Sequence, residues 1–286
     1  MYAQQTTVRG RCFLEAQFER AVLPRGQGRD VQIEYPNIAV ARRFEELEIV
    51  VKTPRVACAL FDRTAWDADP AFVVSAERLQ AAVRASFCSA EAPSFCLDTR
   101  DHAEALKNQP LTLLLTEALK SLFVRVGFSS RYEGEAARMV REVVKLTELV
   151  QGIQAGLQAP RVIVTNRAHP LSPQWHLNQG TLQGLIIFEG RGVQVVHPED
   201  TKVQYAGGVP HVVVKGKGQM PCERWSEITP RYACLFRGDF PEQRWAGDYG
   251  ENLHGLVHRA PYSGPTELQP PRLVALVCGE LPHSPR

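Results

Sequence analysis

The stretch Ser130–Leu157, SRYEGEAARMVREVVKLTELVQGIQAGL, decides how this chain reads. Ser130-Arg131-Tyr132-Glu133 has the spacing of a capping box, in which a hydroxyl and a carboxylate satisfy the first free N–H groups of a helix. Met139, Val143, Leu146, Val150 and Ile153 then recur at steps of three and four, which puts them on one stripe. Pro160 stops the pattern. The spacing therefore predicts one long helix, to about Leu157, with a single buried face.

Upstream of it, Leu111–Val126 reads as a strongly apolar helix entered at Pro110 and ended by Gly127. Asp101-His102-Ala103-Glu104 resembles a capping box with Asp in place of Ser or Thr. Ser75, with Glu77 behind it, predicts a helix to about Phe87. Further towards the N-terminus, Thr6–Val22 and Val31–Tyr35 read as strands, and Ile38–Leu47 is compatible with a helix. Glu48–Val51 and Arg55–Phe61 suggest a strand pair around Thr53-Pro54.

Downstream the chain is rich in β-branched runs and glycine turns. Arg161–Thr165, Tyr232–Phe236 and Leu273–Val277 read as single strands. Leu182–Phe188 with Val193–His197, and Lys202–Tyr205 with Val209–Lys215, read as two hairpins. The stretch Arg237–Pro271, holding Gly, Pro and Trp, is expected to wrap the surface. The fold class expected is α+β, with strand-rich lobes at 1–100 and 159–286 and a helical portion at 101–158.

The 286 residues carry 33 Lys and Arg against 31 Asp and Glu, a formal charge of +2. So balanced a charge does not by itself point to a nucleic-acid partner, and any such argument rests on local clusters. The seven cysteines, Cys12, Cys58, Cys88, Cys96, Cys222, Cys234 and Cys278, include no C-x-x-C pair. They read as reduced packing residues of a cytoplasmic protein, with no zinc site. The N-terminus lacks a signal-peptide pattern, and no apolar run approaches the roughly 20 residues of a membrane span. No Walker A loop, G-x-G-x-x-G, G-x-S-x-G or H-E-x-x-H motif is present, so no cofactor and no metal is expected.

Positive charge gathers in three places. Lys215 and Lys217 alternate with Gly216 and Gly218 after a strand, where glycine lets a backbone approach a phosphate. On the long helix, Arg131, Arg138, Arg141 and Lys145 form a stripe of their own, a candidate ridge along a phosphate backbone. Arg25, Arg29, Arg42 and Arg43, with Arg9, Arg11 and Arg20, make the amino-terminal segment arginine-dense, and Arg191 lies in a glycine turn. Arginine's planar fork suits bidentate phosphate contacts. Solvated helix faces and internal ion pairs explain the same residues. Among the histidines, His169, His176 and His211 are candidate acid–base groups for a site in the C-terminal half.

The segments Gly207-Gly208 and Gly216-Lys217-Gly218, taken with the arginine-dense amino-terminal strands and the order of elements, resemble the RAMP superfamily of CRISPR RNA-binding proteins. That resemblance implies ferredoxin-like folds that hold guide RNA within a cytoplasmic ribonucleoprotein of antiviral defence. Some members are metal-independent endoribonucleases, in which a 2′-hydroxyl attacks the adjacent phosphate. No catalytic residue carries over. Two other expectations stand beside it: a small-molecule enzyme with a His/acid site in the C-terminal lobe, and an assembly subunit that docks its Leu111–Val126 helix on a protein partner.

Overall fold

The computed structural model describes residues 19–25, 32–53, 56–88, 91–153, 159–166, 174–178, 181–206, 209–214, 225–238, 255–261 and 272–280. Within them the fold is α+β. The strands are β1 (Glu19–Pro24), β2 (Gln32–Ala41), β3 (Cys58–Asp62), β4 (Cys96–Asp98), β5 (Arg161–Thr165), β6 (Thr181–Glu189) and β7 (Val193–Val196). They continue with β8 (Thr201–Ala206), β9 (Val209–Val214), β10 (Trp225–Ile228), β11 (Tyr232–Arg237), β12 (His258–Arg259) and β13 (Leu273–Glu280). The α-helices are α1 (Leu47–Lys52), α2 (Ala76–Phe87), α3 (Ala103–Leu106), α4 (Leu111–Arg125), α5 (Phe128–Arg131) and α6 (Glu133–Ile153).

Eight strands form the main sheet in the order β1-β2-β3-β11-β6-β13-β5-β4. Strands that precede the helical portion therefore share one sheet with strands that follow it. β2 and β3 run parallel, and every other pair in this sheet is antiparallel. A second sheet, β10-β7-β12, and the hairpin β8-β9 complete the described β-structure.

The main sheet is buried on both faces. On one face Ala233, Leu235, Leu273, Ala275 and Val277 pack under α2, α4 and α6, through Leu79, Leu115, Leu119, Met139, Val143 and Leu146. On the other, Tyr35, Ile38, Cys58, Leu60, Leu185, Ile187 and Cys234 meet Val193, Val195 and Ile228 of the small sheet. This double burial explains the continuous apolar runs of β3 and β11, which show no polar alternation. The five described cysteines are free thiols, and Cys58 and Cys234 are buried in this second core, where burial raises the Cys58 thiol well above its usual range.

Ser75 caps α2 as its sequence predicts, its hydroxyl accepting from the Arg78 N–H at 3.2 Å. α4 ends at Gly127, whose φ of 73° is left-handed and suits a residue without Cβ. Four expectations need correction. Ser130 does not open α6: its hydroxyl donates to the Gly127 carbonyl at 3.0 Å inside the short α5, and α6 begins at Glu133. Ile38–Ala41 is strand, whereas Glu48–Val51 is helical and α1 buries Leu47, Val50 and Val51. Finally, β6 and β7 are not a hairpin. β6 pairs with β11 and β13, and β7 with β10 and β12. Gly190, at φ 95°, lets the chain leave the main sheet for the small one, and Gly192 lies so close to the Ile228 carbonyl that no side chain fits between them. The second expected hairpin forms as β8-β9.

Among the described residues, no helix is long and apolar enough to cross a membrane, and no three His, Cys, Asp or Glu side chains are grouped to hold a metal ion.

Candidate functional site

The positive residues singled out in the sequence do not assemble into a track among the described residues. Arg138, the centre of the expected ridge, is buried, with its side chain 1% exposed. Its Nε donates to Glu142 at 2.8 Å, one Nη to Asp67 at 2.5 Å and to the Val74 carbonyl, and the other to the Arg63 carbonyl at 3.2 Å. Arg63 completes the group, donating from Nε to the other oxygen of Glu142 at 2.8 Å. Arg141 and Lys145 pack over the Phe72 ring beside it, and the exposed Arg131 lies over Tyr132.

Three arginines of the amino-terminal cluster each face a carboxylate. Arg42 faces Glu19 at 3.6 Å and Arg43 holds Glu46 at 2.8 Å, while Arg20 meets Glu34 at 3.2 Å. Arg191 faces Glu227 at 3.4 Å. Arg25 is tied through its backbone to Ser226, at the margin of the small sheet. Arg29, Lys215 and Lys217 lie outside the described residues.

Of the three candidate histidines, His169 lies outside the described residues and His211 is exposed on β9. His176 occupies a built environment that its spacing in the sequence does not reveal. Its backbone pairs with His258 of β12 through two hydrogen bonds, at 3.0 and 3.1 Å, and so adds a short segment to the edge of the small sheet. Directly opposed residues of an antiparallel pair project to the same face, and the two imidazoles lie 4.3 Å apart between centroids. The His258 ring also meets Phe236 of the main sheet at 4.9 Å. The pair thus sits where the two sheets come together.

The two rings differ in what holds them. His258 is buried, its Nδ1 is 2.8 Å from the Leu256 carbonyl, and its Nε2 is 3.4 Å from Asn178 Nδ2. A carbonyl on one nitrogen and an amide donor on the other describe a neutral ring protonated at Nδ1. Burial, together with the charge a protonated His176 would place beside it, pushes its pKa down to about 3. Asn178 is itself oriented by the Gln183 carbonyl oxygen at 2.8 Å. His176 is half-buried, and its Nδ1 lies 3.0 Å from the Gln174 carbonyl. A proton on that nitrogen leaves the Nε2 lone pair as the ring's acceptor.

On the opposite face of the same strands, Arg259 donates from Nε to the buried Gln194 at 2.6 Å and stacks on Trp175 at 4.3 Å from the ring centroid. Among the described residues, the hydrogen-bond partners of this pair are amides and carbonyls, with no carboxylate among them. The residues that sequence reasoning missed are His258, Asn178 and Gln183. Their association depends on pairing across 80 residues, and no local motif announces it.

No family model matches the chain, and no curated protein matches it. Among solved structures, the chain is similar to the C-terminally truncated T7H of Neurospora crassa in its apo form, with a TM-score of 0.36 and 12% identity over 91% of this chain and 98% of that one. A likeness this slight carries no argument about activity. Arg138 is buried in an ion-pair network and Arg20, Arg42, Arg43 and Arg191 each face a carboxylate, so the described residues do not form the continuous positive track that the expectation of an RNA-binding protein required, and that expectation is overturned.

Proposed function

We propose that the chain acts on, or binds, a small molecule at the junction of its two sheets, with His176 as the acid–base group. The observation that supports this most is the contrast within the histidine pair. His258 has both ring nitrogens engaged and stays neutral, whereas His176 is held through Nδ1 alone. An imidazole held in one tautomer by the Gln174 carbonyl, with its Nε2 lone pair turned to no hydrogen-bond partner among the described residues, is suited to take a proton from a bound molecule. His258, Asn178 and Gln183 would then be positioning residues that hold the wall of the site. The free, buried cysteines fit a reducing cytoplasmic compartment.

The tautomer and the site are tested together. Diethyl pyrocarbonate, mapped by peptide mass spectrometry, is expected to modify His176 and spare His258. Compounds from a panel of small metabolites that raise the melting temperature are expected to slow that modification, and to bind about tenfold more weakly to His176→Gln, the loss of roughly one charge-assisted hydrogen bond. The reading fails if His176 is as protected as His258, or if every stabilising compound binds the variant as it binds the parent.

A further inference from the structure

We propose that Arg237, at the end of β11, anchors a site for a small oxyanion, a carboxylate or a phosphate, separate from the histidine pair. Arg237 is 7% exposed. Its backbone is fixed on both sides: its N–H donates to the Ala57 carbonyl at 2.8 Å, and its own carbonyl accepts from the Leu256 N–H at 3.2 Å. Its Nε has no hydrogen-bond partner among the described residues. Guanidinium does not shed its proton in proteins, so the charge persists where it is buried.

The other buried arginines show how this chain ordinarily treats such a charge. Arg63 and Arg138 share Glu142, and Arg138 also takes Asp67. Arg272, 5% exposed, leaves one Nη unpartnered but lies within the field of Glu227. No carboxylate among the described residues plays that part for Arg237, and burial alone acts on it, lowering its pKa.

Strand alternation sets Arg237 on the side of Ala233 and Leu235, the helix-covered face, and away from Phe236 and His258. One further orphan belongs to the same row: Asn37, 3% exposed, whose backbone carbonyl takes the Ala57 N–H and whose Oδ1 has no partner among the described residues. Asn37 carries no charge, so the class of ligand rests on Arg237. A planar fork with an open Nε matches two oxygens of one carboxylate or phosphate. The slight exposure restricts the ligand to one that presents a compact anionic end.

The test uses the full chain dialysed into a buffer free of phosphate and carboxylates. Inorganic phosphate and sodium succinate are added separately, with sodium chloride at matched ionic strength as the control. Melting temperature is followed by scanning calorimetry and affinity by titration calorimetry. One of the two anions is expected to give a saturable rise that chloride does not, and whichever does so identifies the class. In Arg237→Met the affinity should fall about tenfold or more. Should that variant not fold, Arg237→Lys keeps the charge, loses the fork, and is expected to show the same weakening. A parent response no larger than that to chloride overturns the proposal, as does a variant that binds phosphate or succinate as the parent does. His176→Gln is expected to leave the anion response unchanged, so failure here is distinguishable from failure at the histidine pair.

Discussion

Replacing Glu142 by Gln should be among the most damaging single-atom-scale changes in this protein. Glu142 has a fully buried side chain on α6, and it accepts from Arg138 Nε through one oxygen and from Arg63 Nε through the other, both at 2.8 Å. Arg63 spends a further Nη on the carbonyls of Ile187 and Pro230, at 3.1 and 2.7 Å, and lies over Phe188. With Asp67 the group holds two positive and two negative charges. The amide would keep the shape of the side chain and remove one negative charge, leaving the two guanidinium groups with Asp67 alone, which is partly exposed.

Removing one partner from a buried ion pair costs about 3–5 kcal/mol, because the surviving charge keeps its desolvation penalty. Unfolding entropies of about 2 cal/mol/K per residue translate that loss, over 286 residues, into a drop in melting temperature of roughly 5–8 °C. Calorimetry of the purified variant measures the shift, and urea unfolding checks that the slope is unchanged. The triple variant Arg63→Met, Arg138→Met, Glu142→Leu is expected to lie above Glu142→Gln in stability, since it leaves no buried guanidinium unpaired and only the partly exposed Asp67 without its cation. A Glu142→Gln protein that melts within a degree of the parent would refute the reasoning, as would a triple variant less stable than the single one.

Two further outcomes follow from geometry already described. His258 is held neutral with its pKa pushed down to about 3, below the ordinary value of 6.5 in the unfolded chain, so the unfolded state binds the extra proton. Its stability contribution is whole above pH 6.5 and lost as the pH falls from there toward 3, on the order of 5 kcal/mol in all; urea midpoints should fall across that window in the parent and fall less in His258→Phe, and equal pH profiles would discard the neutral ring. Gly192→Ala should cost about 3 kcal/mol or more, because its Cβ would collide with the backbone carbonyl of Ile228, which cannot rotate away; an unchanged melting temperature would show that the crossing from β6 to β7 is looser than this.

The class of fold was legible because the signals for it are local. The three- and four-residue spacing of Met139, Val143, Leu146 and Val150 needs only one helix to be correct, and those residues form its buried face. The charged side of that helix was misread for a reason also present in the sequence. At 100° per residue, Glu135 and Glu142 fall about 40° and 60° from Met139, on the shoulder of the apolar stripe, with Arg138 beyond them. Carboxylates so close to a core must bring cations in with them. Leu47, Val50 and Val51 likewise have helical spacing, which the β-branched residues of Glu48–Val51 obscured. The fate of Glu189-Gly190-Arg191-Gly192 was not legible in this way. Its glycines permit a sharp change of direction, and nothing local distinguishes a return along the same sheet from a crossing to another.

The histidine pair and Arg237 belong to that second kind of information, and the same fact makes them informative. His176 meets His258, and Arg237 meets Ala57, only because strands distant in sequence pair beside each other. Sequence alone therefore weighs each of these residues singly, where a surface role is the commoner explanation. Once the pairing is known, the comparison changes to one between residues of the same type in the same protein. Among the described residues, the buried arginines Arg63, Arg138 and Arg272 have a carboxylate as partner or within reach, and Arg237 has none. One histidine of a facing pair has both nitrogens engaged, and the other is held through one. Both proposals rest on that comparison: a group treated unlike its counterparts, which a ligand would complete.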